Sequence, residues 1–336
     1  MAESKENIAQ QQENRRKIVT NLTSTNCLET ILNYLFVGTP RPNLGNVIVS
    51  PSEISKLHIE SKELEEISAA VASAQGRRGS MEDAHIVRKF DILLGGELKP
   101  VILTAIFDGH QGAECAKFAA VNLEDSLRQY LEKFAGEVIT DENISNALTL
   151  SFIDLSHAYH PDNTKDLPYN HNAGCTANVI VQIGKGDIWV ANCGDSRAIF
   201  INEKGVGLQI SEDATLEESR YINSIYERGG QIIPVLGKDR VNGRLAVPAS
   251  LGDHWSEGVI TSRPNIFKLD SKEYEFDKGT IVQCCDGVFD VATTEEVAER
   301  IKRTENLTAL ESAVDLIQSA YVCDSTDNLS VILRRL

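Results

Sequence analysis

Three apolar runs in this chain stop on carboxylates. Val101–Phe107 runs into Asp108-Gly109-His110, Thr280–Cys285 into Asp286-Gly287, and Ile188–Cys193 into Gly194-Asp195. In two further places acids stand just before an apolar run: Glu82-Asp83 ahead of the stretch from Ala84, and Asp327-Asn328 ahead of Leu329–Leu333. A buried strand gains nothing by ending on an acid, so the pattern constrains the fold. Either the strands bring these five ends to one place, or the acids serve as unrelated turn residues and helix caps. For any one Asp taken alone, the turn or cap is the commoner outcome.

Convergence would carry a physical demand. Two carboxylates about 4 Å apart repel by several kcal/mol at intermediate dielectric, and six do not stay ionised together without compensation. The available compensators are Arg, Lys or a divalent cation. Oxygen ligands without accompanying His or Cys pairs favour hard ions, Mg²⁺ or Mn²⁺. A glycine after the Asp lets backbone carbonyls and solvent approach closely. Two such ions, about 3.5–4 Å apart, activate water near neutral pH and clamp an in-line displacement at phosphorus. Arg78, five residues before Asp83, is suited to gripping a phosphoryl group bidentately. His110, two residues after Asp108, is placed to protonate a leaving alkoxide.

Composition narrows the alternatives. The chain has 336 residues and a formal net charge of −16, which disfavours nucleic acid and anionic membranes as partners. Its seven cysteines are odd in number and mostly embedded in apolar stretches, without zinc-ligand or CxxC spacing. That pattern reads as reduced, core-packed thiols. The amino-terminal stretch MAESKENIAQQQENRRK has no apolar signal core, and no run is long enough to span a membrane. The expectation is an intracellular protein, cytoplasmic and/or nuclear, and monomeric.

Residues 1–65 read as an extension, with a short amphipathic helix over residues 26–36 and a Pro/Gly-rich turn. From residue 66 onward strands and helices follow in groups. Helices are expected after Gly112, ending at Gly136; over residues 141–160, with Asp141 as the cap; and over residues 216–228, ending at Gly229-Gly230. Thr293 with Glu296, and Thr308 with Glu311, form candidate capping boxes. Hairpins are expected across Gly184-Lys185-Gly186 and Asn202–Gly205, and residues 161–173 form a polar loop. Strict βαβ alternation is absent, so the fold class is α/β in the broad α+β sense, with mostly antiparallel sheets and helices outside them.

Seven motifs occur in order: GRRGSMEDAH, AIFDGHQG, GCTANVIV, ANCGDSRA, GVITSRPNIF, CCDGVFDV and DNLSVIL. Together they resemble the protein phosphatase 2C family of metal-dependent serine/threonine phosphatases, over residues 66–336. The resemblance implies a central β-sandwich of two mainly antiparallel sheets flanked by helices, four layers in the order αββα. It implies one metal on Asp108, Asp286 and Asp327, and another on Glu82, Asp108 and the carbonyl of Gly109. Asp83 would position water, Arg78 would hold the substrate phosphate, and His110 would be the general acid. Asp195 would serve a third, weaker metal. The implied reaction is hydrolysis of phosphoserine and phosphothreonine in proteins by a water bridging two Mg²⁺ or Mn²⁺ ions, with no phosphoenzyme. Phosphoproteins are then the partners.

The departures from the family pattern lie beside the expected cleft. Gln111-Gly112 replaces Gly-Gly, Asp213-Ala214-Thr215-Leu216 replaces Asp-His-Lys-Pro, and Ala249 stands where Arg is usual. They bear on substrate preference and turnover. A silent pseudophosphatase, binding partners through the same fold, is the alternative, and loss of a metal carboxylate would mark it; none is lost here. A cysteine-based phosphatase requires Cys with Arg six positions later, and a P-loop enzyme requires GxxxxGK[ST]; neither occurs.

Overall fold

Apolar runs rich in small and β-branched residues set up the strands of the computed structural model, which describes residues 41–160, 169–271, 274 and 278–336. The helix expected over residues 26–36, and residues 161–168 of the polar loop, lie outside the described residues. In chain order the principal strands are β1 (Glu60–Leu64), β2 (Ala69–Ala74), β3 (Ala84–Leu94) and β4 (Glu97–Phe107). They continue with β5 (Ala177–Ile183), β6 (Ile188–Cys193), β7 (Arg197–Ile201) and β8 (Gly207–Gln209). The last are β9 (Asn265–Leu269), β10 (Thr280–Cys284) and β11 (Leu329–Arg335).

Two antiparallel sheets result, one in the order β1-β2-β11-β10-β7-β8 and the other β9-β6-β5-β4-β3. Side-chain alternation decides which layer each residue joins. On β4, Leu103, Ala105 and Phe107 turn outward, against Phe118, Leu123 and Leu127 of α1 (Glu114–Leu131) and Phe152 of α2 (Asp141–Ala158). Ile106 turns inward, to Val71, Val87 and Ile332 between the sheets. On β10, Val282 and Cys284 pack outward with Ile301 of α4 (Thr294–Arg303) and Leu316 and Ile317 of α5 (Ala309–Val322). Helix α3 (Ser219–Glu227) lies in the long connection between β8 and β9. The layers are therefore αββα, the arrangement expected from the sequence.

The inner faces are not wholly apolar. Thr104 Oγ1 donates to Gln283 Oε1 at 2.5 Å, and Gln283 Nε2 donates to the Asn178 carbonyl and side chain at 2.9 Å. Asn178 Nδ2 donates to Asn192 Oδ1 at 2.8 Å, and Asn192 in turn reaches the carbonyls of Gly194 and Glu212. This buried seam crosses from one sheet to the other and runs towards the strand ends that carry the acids.

Both capping boxes form as expected, with Thr293 and Thr308 accepting from the amides of Glu296 and Glu311. The cap of α2 is Thr140 rather than Asp141: its hydroxyl accepts from the Asn143 amide, and Asn143 answers on the Thr140 amide. Helix α3 begins at Ser219, three residues later than the apolar spacing from Leu216 predicts, because Leu216 is drawn into a separate core with Ile225 and Val259. Asn43–Leu336 belongs to one compact unit. Within it β1 pairs with β2, Leu44 is fully buried, and the Val47 carbonyl accepts from Arg300. The six described cysteines are buried.

Candidate active site

The antiparallel topology solves the problem posed by the strand-end acids. β4, β6 and β10 finish at one end of the sandwich, where β3, β5, β7 and β11 begin. Asp108 and Asp195 follow β4 and β6, and Asp286 opens a single helical turn, Asp286–Phe289, after β10. Asp327 precedes β11, and the loop from β2 to β3 supplies Arg78 and Glu82. A cleft of about 300 Å³ is lined by Arg78, Glu82, Asp108, Gly109, His110, Asp195, Asp286 and Asp327. Eight of the nine residues singled out from the sequence thus come together.

Local chemistry holds them there. Asn328 stitches two segments: its Nδ2 donates to the carbonyls of Gln75 and Ser80, and its Oδ1 accepts from the Glu82 amide at 2.9 Å. Glu82 also accepts from Ser80 Oγ and from the Gly112 amide. Arg77 turns away, donating to carbonyls at the end of α5, whereas Arg78 enters the cleft and pairs with Asp327 at 2.5 Å. Gly109 is dictated by contact, since a Cβ there would strike the Glu82 carbonyl.

Asp83 is the exception. It does not line the cleft but is buried behind it, accepting from Ser330 Oγ at 2.7 Å. An oxygen of Asp83, an oxygen of Asp108 and the Cys285 sulfur lie within 4.8 Å of one another.

The electrostatics show what is missing from the acids taken alone. Burial pushes the Asp83 carboxyl up to about 7 and Asp286 up to about 6. Burial, and then the neighbouring Asp286, holds Asp108 and Asp195 well above the ordinary carboxylate range. The Asp108 and Asp286 carboxyls act on one another, the charge of Asp286 raising Asp108 further. Asp286 Oδ1 is buried with no hydrogen-bond partner among the described residues. Oxygen-only donors, mutual repulsion and an orphaned carboxylate oxygen are what a hard divalent cation would relieve, so the residues fit such ions.

Sequence reasoning missed several contributors. Asp290 lines the cleft, and burial raises its carboxyl. Lys238 and Arg240 enter from a hairpin, Ile232–Val235 with Lys238–Val241, that overhangs the cleft. Arg244 stacks 4.2 Å over Trp255 and donates to Gln111 and Asn172. Asp253 Oδ2 lies 2.7 Å from His110 Nε2. None of these carries a strand-end signature; only the -Leu-Gly-Asp- turn at residues 251–253 could have pointed to Asp253.

Comparison with known proteins agrees with this geometry. A family-wide sequence model described as Protein phosphatase 2C matches residues 67–329. The chain belongs to the protein phosphatase 2C family. It is 32% identical over 270 residues to probable protein phosphatase 2C 59 of Arabidopsis thaliana, covering 80% of this chain and 79% of that protein. Protein phosphatase 1L of Bos taurus is 30% identical over 303 residues, covering 86% of this chain and 77% of that protein. A crystal structure of a phosphatase from Toxoplasma gondii superposes with a TM-score of 0.62 at 19% identity, over 79% of this chain and 91% of that one, a likeness of fold. As a member of the protein phosphatase 2C family the chain is a metal-dependent serine/threonine protein phosphatase. Its departures from the family pattern are mostly inward-facing: Ala214 and Ala249 are buried in the core under α1 and α2, and Leu216 is buried under the overhanging hairpin. Only Gln111, exposed and with φ 57°, borders the cleft of this phosphatase.

Proposed function

We propose that this cleft hydrolyses phosphoserine and phosphothreonine in proteins by in-line displacement at phosphorus. The reading is carried by the convergence of Glu82, Asp108, Asp286 and Asp327, one with an orphaned buried oxygen, on a cleft shared with Arg78 and His110. Glu82, Asp108, the Gly109 carbonyl, Asp286 and Asp327 would hold two Mg²⁺ or Mn²⁺ ions, and Asp195 with Asp290 a third. Bound there, such ions supply Lewis acidity and an activated water. Arg78 keeps an exposed guanidinium at the cleft and orients the phosphoryl group through its fork of donors. His110 gives a proton to the departing alkoxide. Asp83, buried behind Asp108, braces that carboxylate rather than meeting substrate.

We assign the phosphatase domain to residues 66–336 and leave residues 1–65 as an extension, part of which packs on it. Buried cysteines support an intracellular, cytoplasmic or nuclear setting, and no helix among the described residues is long and apolar enough to cross a membrane. The silent alternative draws no support from the site, which keeps every expected carboxylate. The test is release of phosphate from a phosphothreonine peptide with Mn²⁺, with Mg²⁺ and with EDTA. Turnover should require either ion and cease in EDTA; no turnover with either ion would overturn the reading.

A further inference from the structure

His110 does not stand alone. Its Nε2 lies 2.7 Å from Asp253 Oδ2. Asp253 is fully buried, has a left-handed backbone at φ 51°, and accepts two more hydrogen bonds. These come from Ser250 Oγ at 2.5 Å and Trp255 Nε1 at 2.6 Å. A miniature sheet assembles the pair. The two-residue strand Gly174–Cys175 lies between Gly109–His110 and Leu251–Gly252, and Gly174 is in register with both His110 and Gly252. A side chain at Gly174 could not coexist with the contact, because its Cβ would overlap Asp253 Oδ2 and His110 Nε2.

We propose that Asp253 is the positioning residue for the general acid, fixing the His110 tautomer so that Nδ1 is the nitrogen that serves the leaving oxygen. The inference rests on the reading of His110 given above. A carboxylate is acceptor-only, and Ser250, Trp255 and the imidazole all approach Asp253 as donors, so the shared proton sits on Nε2. Among the described residues Nδ1 has no hydrogen-bond partner, while His110 lines the cleft. When the P–O bond to the seryl or threonyl oxygen breaks, its electron pair stays on that oxygen. The proton on Nδ1 of the imidazolium neutralises it, leaving neutral imidazole with Nε2–H still held by Asp253. Asp253 takes up no proton. The strained φ of a non-glycine residue at this point is an ordering cost that the three hydrogen bonds offset.

The experiment compares His110→Ala, Asp253→Asn and the double variant on two substrates, a phosphothreonine peptide and p-nitrophenyl phosphate, with Mn²⁺ present. His110→Ala should slow the peptide far more than the aryl ester, whose leaving group needs little protonation. Asp253→Asn should show the same split, with kcat on the peptide down at least about tenfold, and the double variant should be no slower than His110→Ala. Equal losses on both substrates, or losses that multiply in the double variant, would overturn the role of Asp253. If His110→Ala shows no split, it is the acid assignment itself that fails. Should Asp253→Asn not fold, Gly174→Ala separates the two side chains by a different route and should reproduce the split. ¹⁵N NMR of the wild-type imidazole gives an answer independent of turnover: the Nε2–H form is expected in the neutral ring, and the Nδ1–H form would refute the proposal.

Discussion

The same strands carry two polar clusters of opposite character. β4 supplies Thr104 and then Asp108; β10 supplies Gln283 and leads to Asp286. Inside the sandwich Thr104, Gln283, Asn178 and Asn192 pass hydrogen bonds from one to the next. A few residues on, Asp108, Asp195 and Asp286 are half-buried, but they repel one another and leave a buried oxygen of Asp286 orphaned. Polar groups that serve the fold are neutral and satisfied by the chain. Those that serve chemistry are charged, and the chain alone does not complete them.

The sharpest way to break this contrast is to neutralise one acid. Asp286→Asn should reduce phosphatase activity by about three orders of magnitude, a loss of several kcal/mol of transition-state stabilisation. In EDTA the same variant should be more stable than the wild type, by about 1–3 kcal/mol, since a carboxyl held at about 6 is uncomfortable when ionised. Urea unfolding in EDTA checks this, and a less stable variant would contradict the contrast. Gln283→Leu should do the reverse. It strands partners on Thr104 and Asn178, so stability should fall by about 2 kcal/mol, with the metal requirement of the folded fraction unchanged.

The pH response sharpens the comparison further. In EDTA the folded protein keeps protons on Asp83, held up to about 7, and Asp286, up to about 6, that the unfolded chain gives up near pH 4. Fewer protons on the unfolded chain mean that stability falls as pH rises from about 4 to about 7, by about 1.4 kcal/mol per unit for each proton. Melting curves at pH 5 and pH 7.5 should show this drop in EDTA and lose it in saturating Mn²⁺. The smallest effect should come from Ser330→Ala, which removes one donor from Asp83 at the junction of the two clusters. About 1 kcal/mol is expected from chemical denaturation with Mn²⁺ present.

Much of this was legible in the sequence because it is local. Apolar runs bounded by turn residues gave the strands, and Thr-x-x-Glu spacing gave two helix starts at Thr293 and Thr308. The convergence of the acids was legible for a different reason: acids at strand ends violate the economy of a core, and the violation recurs. The sequence did not reveal groups whose roles depend on long-range register. Asp253 meets His110 only because both flank Gly174, and Lys238 and Arg240 matter only because their hairpin folds over the cleft. Asp141 was displaced as a cap by its neighbour Thr140, whose hydroxyl reaches the amide three residues on without a buried competitor. Asp83, expected to position water, and Cys285, a plain core residue by its apolar context, are neighbours behind the site.

One consequence follows from the single bond between the Glu82 amide and Asn328, which joins positions 246 residues apart. A ribosome must release nearly all of that intervening length before the phosphatase can assemble its reactive centre. A chain that stops short of Asn328 lacks the contact that holds Glu82 at the cleft, and the segment around Asn328 acts as the latch that completes the centre.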